Sequence, residues 1–349
     1  GKWHLGFQSE TATQKTSKKL GGVRLPVRAR IVGGPTTRGF DYYWGCSNAR
    51  TMSSLIENER VIETIEPITM LPRLTKRAVE YVGERAAEAK AGRPFFLYVP
   101  LTSPHTPILP TDEWRGKSGL GDYGDFVMQT DATVGEILAA LDLHELANNT
   151  LVIFTSDNGP ETTSVVHMRA DHGHDGARPW RGVKRDQWEG GHRVPFLVRW
   201  PARVKAGTTS AELTSLTDVM ATLAAITGAP LPREAAEDSF NLLPALEGKA
   251  TAPIRPYLLT QAFAGARTLS IRRGQWKYLA HRGSGGNNYE RGELQRFALP
   301  DTAPAADAQL YDLATDPGET KNLVLEKPDL AAELKALLES SKQSGRSRP

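Results

Sequence analysis

The sequence predicts an α/β fold in which helices sandwich a mainly parallel sheet. Two apolar runs, Phe95–Leu101 and Leu151–Thr155, have the composition of strands buried on both faces. Between them, residues 125–146 carry apolar side chains at three- and four-residue spacing, which is typical of a long amphipathic helix. Strand, helix and strand alternate, and this order favours parallel strands joined by a covering helix.

The neighbouring elements extend the same plan. Residues 74–90 are predicted to form a helix, because an apolar stripe runs along them and a glycine lies just past their end. Residues 196–200 are predicted to form another strand, and residues 214–226 another helix. We assign residues 1–255 to this α/β core.

The last part of the chain has a different pattern. Residues 268–280 predict two short strands joined at Arg273-Gly274, and residues 309–313 predict a further strand. A final helix begins at Pro328, since proline is favoured in a first helical turn. We therefore expect residues 256–349 to form a small C-terminal α+β subdomain with an antiparallel sheet.

The amino-acid composition excludes several classes of function without identifying one. The 349 residues include 39% hydrophobic and 24% charged side chains, as in ordinary globular proteins. The net charge of +3 comes without an array of basic and aromatic residues, which argues against nucleic acid as a partner. No apolar run is long enough for a membrane span, and the single Cys46 excludes an internal disulfide.

Asp157 and Asn158 directly follow the apolar run at 151–155. In open α/β sheets, ligands bind beyond the carboxyl ends of the strands. A carboxylate and a carboxamide offer hard oxygens, which suit Ca²⁺ or Mg²⁺. The alternative is an ordinary turn, because Asn-Gly after a strand is a common turn signal.

Two further positions offer polar groups for catalysis. Lys2 and His4 are two residues apart, so an extended backbone would direct both side chains to one face and form an anion clamp. His105 lies between Pro104 and Pro107, after the apolar run at 95–101, and this stiff loop could hold an imidazole. Each pattern also occurs on ordinary protein surfaces.

Residues 167–195 contain two patterns of interest. A group of acidic and histidine residues at 167–175 could bind a metal, but without a helix or strand to fix it we favour a mobile, substrate-facing loop. Lys184 precedes Gly190-Gly191, which we expect to form a tight turn with positive φ that returns Lys184 towards the end of the sheet.

These motifs together resemble the sulfatase family, of the arylsulfatase type within the alkaline-phosphatase-like superfamily. The similarity rests on four segments in the family's order, over essentially the whole chain. They are Gly-Lys-Trp-His-Leu-Gly at 1–6, Ser-Pro-His-Thr-Pro at 103–107, Thr-Ser-Asp-Asn-Gly-Pro at 155–160, and Lys184 with Glu-Gly-Gly-His-Arg-Val-Pro at 189–195. The resemblance implies a sulfuric ester hydrolase that cleaves the sulfate ester of an aryl or carbohydrate substrate with Ca²⁺ and a formylglycine nucleophile.

The resemblance also implies roles for individual residues. Asp157 and Asn158 resemble two Ca²⁺ ligands, and Lys2 and Lys184 resemble the lysines that neutralise the sulfate oxygens. His4 resembles the histidine beside the formylglycine hydrate, and His105 resembles the residue that assists the leaving alcohol. The family further implies a sulfated small molecule or carbohydrate as partner and a periplasmic or extracellular location.

Two features of the family are absent from the sequence. The Cys/Ser-x-Pro-x-Arg motif that yields formylglycine and the family's aspartate pair both precede the segment matched here by residues 1–6. Cys46-Ser47-Asn48-Ala49-Arg50 is a poor substitute, because it lacks the proline and follows Lys2. We therefore expect a C-terminal portion of a sulfatase that is inactive alone.

Two other functions remain open on sequence grounds. A phosphate or phosphonate ester hydrolase of the same superfamily would often carry Asp-His-Gly where this chain has Asp-Asn-Gly at 157–159. A non-catalytic binder of sulfated glycans would keep the pocket and lack the nucleophile. The upstream sequence would distinguish an enzyme from such a binder.

Overall fold

The computed structural model describes residues 3, 5–9, 25–50, 52–262 and 268–348. The chain divides into two compact units, residues 1–148 and 149–349, and each is described by itself. The domain boundary near residue 255 stays a prediction. Among the described residues, no helix is both long and apolar enough to cross a bilayer.

The first unit combines short strands with two long helices. Its elements are β1 (Gln8–Ser9), β2 (Ile31–Val32), β3 (Trp44–Gly45), β4 (Ser54–Glu57), β5 (Arg60–Thr64), α1 (Met70–Lys90) and α2 (Asp122–Leu143). Strands β3, β4 and β5 form an antiparallel sheet, and helices α1 and α2 pack on each other. Both long helices were predicted, and each begins three or four residues earlier than the sequence indicated.

The second unit contains the remaining elements. They are β6 (Val152–Thr155), α3 (Thr162–His172), α4 (Glu189–His192), β7 (Phe196–Arg199), α5 (Asp218–Thr227), α6 (Leu243–Leu246), β8 (Leu258–Gln261), β9 (Leu269–Arg273), β10 (Trp276–Leu279), β11 (Gln309–Asp312) and α7 (Pro328–Ser344). Strands β8 to β11 form a four-stranded antiparallel sheet in the order β11-β10-β9-β8. Helix α7 packs on this sheet through Leu334 and Leu338, which are completely buried with Ile271 and Leu310. This matches the predicted antiparallel sheet and final helix.

The predicted parallel pairing is wrong for the strands that the structure describes. Every strand pair among them is antiparallel, including β6 with β7. The reason is visible in the register, which places Thr155 opposite Phe196. The connecting segment leaves β6 and enters β7 at the same edge, so the two strands run in opposite directions.

The predicted buried strand at 95–101 is also wrong. No strand forms anywhere between residues 93 and 101, all of which are described. Phe96 and Tyr98 are 60% and 62% exposed, although their neighbours in the sequence are half-buried. Side-chain exposure alternates along residues 95–99, as it would in a strand with one buried face, but these residues form no strand with other described residues.

Candidate active site

The antiparallel pair β6 and β7 places two predicted motifs next to each other. Asp157 and Asn158 lie just after the end of β6, and the segment at 189–195 leads directly into the start of β7. Because Thr155 faces Phe196, these two loops leave the same edge of the pair. The local strand pairing therefore brings the predicted metal ligands to the segment that carries Lys184.

The two loops are fixed by backbone contact at three glycines. Gly159 N–H donates to Gly191 O at 2.9 Å, and Lys184 N–H donates to Pro160 O at 2.9 Å. A Cβ on Gly159 would lie only 1.9 Å from Gly190 O, and one on Gly190 would lie 2.4 Å from Gly182 O. The backbones approach too closely for any side chain, so these positions require glycine.

This geometry corrects the reason that we expected for Gly190-Gly191. Both residues lie in the short helical turn α4, and neither is among the residues with positive φ. The glycines are needed for the absence of a Cβ and not for a left-handed backbone. The expected consequence holds, since Lys184 is returned to the loop after β6.

The ammonium of Lys184 lies beside a carboxylate that sequence reasoning missed. Lys184 Nζ is 3.6 Å from Glu161 Oε2, and both side chains are about five-sixths buried, at 16% and 17% exposure. Glu161 also forms an ion pair with both terminal nitrogens of Arg185 and accepts from Thr162 N–H at the start of α3. Two cations are thus held next to the loop of Asp157 and Asn158.

Residues far along the chain hold the Lys184 segment. The Asn287 side chain donates to Lys184 O at 2.9 Å and to Asp186 Oδ1 at 2.8 Å. Asp186 Oδ2 accepts from Val183 N–H and from the hydroxyl of Tyr289, at 2.9 and 2.6 Å. Arg185 has a left-handed backbone with φ of +86°, which is uncommon for residues other than glycine. The segment is therefore fixed in a costly conformation by specific polar partners.

Asp157 and Asn158 present oxygens at this edge. The Asp157 side chain is exposed, and Asn158 is half-buried with its amide nitrogen donating to Gly159 O at 3.0 Å. Asn158 Oδ1 is then the amide atom that suits a hard cation. Within the described part of the chain, no group of three or more acidic, histidine or cysteine residues could hold a metal ion. A carboxylate and an amide oxygen are ligands of the kind that Ca²⁺ takes, but two side chains are too few for a whole site.

His105 belongs to the other compact unit. Its Nδ1 lies 2.6 Å from the carbonyl oxygen of Thr106, and its backbone N–H donates to Thr102 O at 3.2 Å. The hydroxyl of Thr130 on α2 donates to Ser103 Oγ at 2.7 Å and attaches the loop to that helix. When Nδ1 donates to the carbonyl, Nε2 is the nitrogen that can accept or transfer a proton.

Two weaker sequence candidates can be judged directly. The Cys46 thiol is a poor nucleophile, because burial raises its pKa to about 11 and disfavours the reactive thiolate. The acidic and histidine group at 167–175 lies partly on α3, so our assumption that no helix orders it was wrong. His167, Asp171 and His172 nevertheless point outwards, and they form no metal cluster among the described residues.

The remaining site candidates are Lys2 and His4, and three further residues at the site were not predicted. Lys2 and His4 lie outside the described residues, and their roles stay predictions. Glu161 and Asp186 could have been noticed, because they lie close in the sequence to Asp157 and Lys184. Asn287 has no such signal, since it is more than 100 residues away from the backbone that it binds.

Comparison with known proteins settles the family. The sulfatase family model matches residues 1–229. The chain belongs to the sulfatase family. The match includes the segments of Asp157, Lys184 and His105, on which the sequence resemblance was based.

Individual sulfatases show how far the likeness extends. The N-acetylgalactosamine-6-O-sulfatase of Bacteroides thetaiotaomicron is 39% identical over 77% of this chain and 50% of its own length. Human arylsulfatase A is 34% identical over 80% of this chain and 54% of its own length. The chain thus spans about half the length of the curated relatives that it matches.

Solved structures confirm the predicted fold class. A structure described under the metabolism of multiple glycosaminoglycans by Bacteroides thetaiotaomicron superposes with a TM-score of 0.80 and 29% identity, covering 98% of this chain and 78% of its own. A second, bound to a neocarrahexaose, has a TM-score of 0.69 and 24% identity, covering 88% of this chain and 67% of its own. The alkaline-phosphatase-like α/β class, with a small C-terminal antiparallel sheet, is therefore correct.

Proposed function

We propose that this sulfatase-family chain supplies the lysine and metal-ligand part of a sulfuric ester hydrolase that acts on a sulfated carbohydrate. The observation that carries the proposal is the hydrogen bond from Lys184 N–H to Pro160 O, which ties Lys184 to the loop of Asp157 and Asn158. A cation and two hard oxygens in one rigid arrangement suit an anionic ester and a divalent metal.

The proposal gives each site residue one role in cleavage of the sulfate ester. Bound Ca²⁺ would polarise the sulfate oxygens as a Lewis acid. Asp157 and Asn158 would hold the ion, and Lys184 would offset the negative charge that the sulfuryl group carries during transfer. For His105, the role of protonating the departing alcohol oxygen rests on the family resemblance and on its restrained loop.

The carbohydrate substrate is supported by the relatives. The relative with 39% identity is named for a 6-O-sulfated N-acetylgalactosamine, and the structure with 29% identity is described under glycosaminoglycan metabolism. An aryl sulfate is the competing substrate, since arylsulfatase A is 34% identical. We also propose, from family resemblance alone, that the whole protein is exported to the periplasm or beyond, which cell fractionation would test.

The deciding experiment compares substrates on two proteins, the 349-residue chain and the longest natural polypeptide that contains it. We expect the longer protein to release sulfate from 6-O-sulfated N-acetylgalactosamine faster than from 4-nitrophenyl sulfate, and the 349-residue chain to be inactive on both. Mass spectrometry should show Cys46 unconverted. Turnover of 4-nitrophenyl phosphate alone would indicate a phosphate ester hydrolase, and binding without turnover would indicate a glycan-binding protein.

Calcium binding gives an independent test. Ca²⁺ prefers about six to eight oxygens, and Asp157 with Asn158 supplies only two side chains. Calorimetry should therefore show weak binding by the 349-residue chain, much tighter binding by the longer protein, and loss of that tight binding in Asp157→Ala. Equal and tight binding by both proteins would show that these two residues already belong to a complete site.

A further inference from the structure

A cluster of buried charged residues lies directly behind the turn that holds the two active-site loops. This buried charge cluster consists of Glu189, His192, Arg272, Lys277 and Glu319. Lys277 Nζ lies 2.9 Å from Glu189 Oε1, 3.1 Å from Glu319 Oε1 and 3.2 Å from His192 Nε2. Arg272 Nη1 lies 2.9 Å from Glu189 Oε2. Sequence reasoning identified only Glu189 and His192, as part of the Glu-Gly-Gly-His motif.

Three members of this cluster are almost completely buried. The side chains of Glu319, Lys277 and Glu189 are 0%, 1% and 2% exposed. Removing charges from water is costly, and well-packed apolar residues often give equal or greater stability. Stability alone is therefore a weak reason for placing three charged groups there.

Glu319 contacts the turn in two ways. Its Oε2 accepts the backbone N–H of Glu189 at 2.6 Å, and its Oε1 faces Lys277, which in turn binds the Glu189 side chain. Its own backbone is left-handed, with φ of +50°, and its carbonyl oxygen accepts from Arg181 at 2.9 Å. A carboxylate on an uncommon backbone conformation thus holds both the main chain and, through Lys277, the side chain of Glu189.

The turn transmits this restraint to the active-site loops. Glu189 is followed by Gly190 and Gly191, whose carbonyl oxygens meet Gly159 at contact distance. Gly190 N–H also donates to Arg181 O at 2.7 Å. A shift of Glu189 would therefore displace the backbone against which the loop of residues 157–160 is packed.

We propose that Lys277 and Glu319 are positioning residues for the active site, which hold the Glu189–Gly191 turn and thereby set the placement of Asp157, Asn158 and Lys184. The proposal rests on the proposed function for its consequence in catalysis, but the positioning itself is measurable without activity. It assigns to the C-terminal antiparallel sheet a role in ordering the groups that bind the metal and the sulfate.

Burial and neighbouring charges shift the pKa values of three groups of the cluster. Burial raises the pKa of Glu319 to about 7, and the charge of Glu189 adds to the effect against the attraction of Lys277. Burial opposes ionisation of Glu189 as well, but Lys277, His192 and Arg272 hold its pKa below the usual range. Burial and Lys277 lower the pKa of His192 to about 4. The other titratable groups facing Glu319 are Arg181 and Tyr311.

The test is residue-resolved amide hydrogen exchange on the full 349-residue chain. The variants are Lys277→Met and the milder Glu319→Gln, with Lys321→Met as a matched control, because Lys321 pairs with Glu326 on the surface. The measurement is made at about pH 8, where Glu319 with its pKa of about 7 is mostly ionised. We expect the amides of Gly159 and Lys184 to exchange at least about tenfold faster in the first two variants, as loss of a buried charge-assisted bond implies. Amides of α7 should be unchanged, and the control should resemble the wild type.

Three results would overturn the proposal. Unchanged exchange at Gly159 and Lys184 in both variants would show that the cluster does not hold the loops. An equal increase in α7 would show general structural support, as would failure of both variants to fold. In the longest natural polypeptide, the same variants should lower kcat more than they change KM. Faster exchange without any sulfatase activity in the wild type would leave the positioning role intact and reject the proposed function.

Discussion

Two segments of the chain begin with similar apolar runs, but only one of these runs forms a strand. Residues 95–107 lead to His105, and residues 151–192 lead to Asp157 and then Lys184. The second run pairs with β7. The loops that follow it pack backbone against backbone at Gly159 and Gly190, too closely to leave room for a Cβ. The first forms no strand and leaves Phe96 and Tyr98 exposed. Apolar composition alone therefore does not decide whether a segment forms a strand, because pairing depends on a neighbouring segment.

The largest expected effect is at the closest contact in the rigid segment. Gly159→Ala should lower the free energy of unfolding by about 3 kcal/mol or more, because its Cβ would lie 1.9 Å from Gly190 O. Gly135→Ala on α2 is the control, since no described atom outside the adjacent helix backbone lies within 4 Å of the added Cβ. Alanine there should stabilise the helix by about 0.5–1 kcal/mol. Urea denaturation measures both. Similar stability in the two variants would show that the loops can separate without cost.

The next effect concerns catalysis with little change in stability. In the longest natural polypeptide, Lys184→Ala should lower kcat for sulfate release about 10²–10³-fold, as loss of one fixed electrostatic partner typically does. The free energy of unfolding should change by about 1 kcal/mol or less, because Glu161 keeps Arg185 as a partner. Lys205→Ala, on an exposed lysine, should leave the rate unchanged. Near-normal kcat in Lys184→Ala would remove this lysine from the site.

A third effect is a dependence of the unfolding free energy on pH, which arises from Glu319 in the second compact unit. The pKa of Glu319 is raised in the folded state from its ordinary value near 4.5 to about 7, so the folded state binds the proton more tightly. The resulting stability is complete below pH 4.5 and is lost as the pH rises towards 7. The unfolding free energy of the wild type minus that of Glu319→Gln should therefore fall between pH 5 and 7.5.

Urea titrations of both proteins across that range measure this difference. His192, whose folded pKa is lowered to about 4, contributes in the opposite sense, with stability present above its ordinary pKa of 6.5 and lost as the pH falls. His192 is present in both the wild type and Glu319→Gln, so its contribution largely cancels in the difference between their unfolding free energies. A difference that is independent of pH would mean that Glu319 remains ionised when folded.

The smallest effect is expected at residues 95–101, which form no strand among the described residues. Phe96→Ser combined with Tyr98→Ser should change the free energy of unfolding by only about 0.5 kcal/mol per site, because both side chains are largely exposed. Self-association, measured by sedimentation velocity, should decrease, since exposed apolar side chains favour it. Phe126→Ala, at a buried site on α2, should by contrast cost about 3–5 kcal/mol. A large loss of stability in the serine variant would place residues 95–101 in a core.

The sequence alone determined the local elements and the family. Sequence pattern located α1, α2, α5 and α7 to within a few residues. The Asp-Asn-Gly and Glu-Gly-Gly-His segments indicated where site residues lie, since metals and anions need particular side chains. These features are encoded over short stretches of chain.

Only the tertiary structure decided the direction of strand pairing and the supports of the site. The antiparallel pairing of β6 and β7 depends on where the connecting segment returns, which periodicity does not record. Lys277 and Glu319 lie roughly 90 and 130 residues after Glu189, and no local pattern marks them. Their importance arises from burial, because charges gain strong, specific interactions only where folding has excluded water and brought distant groups together.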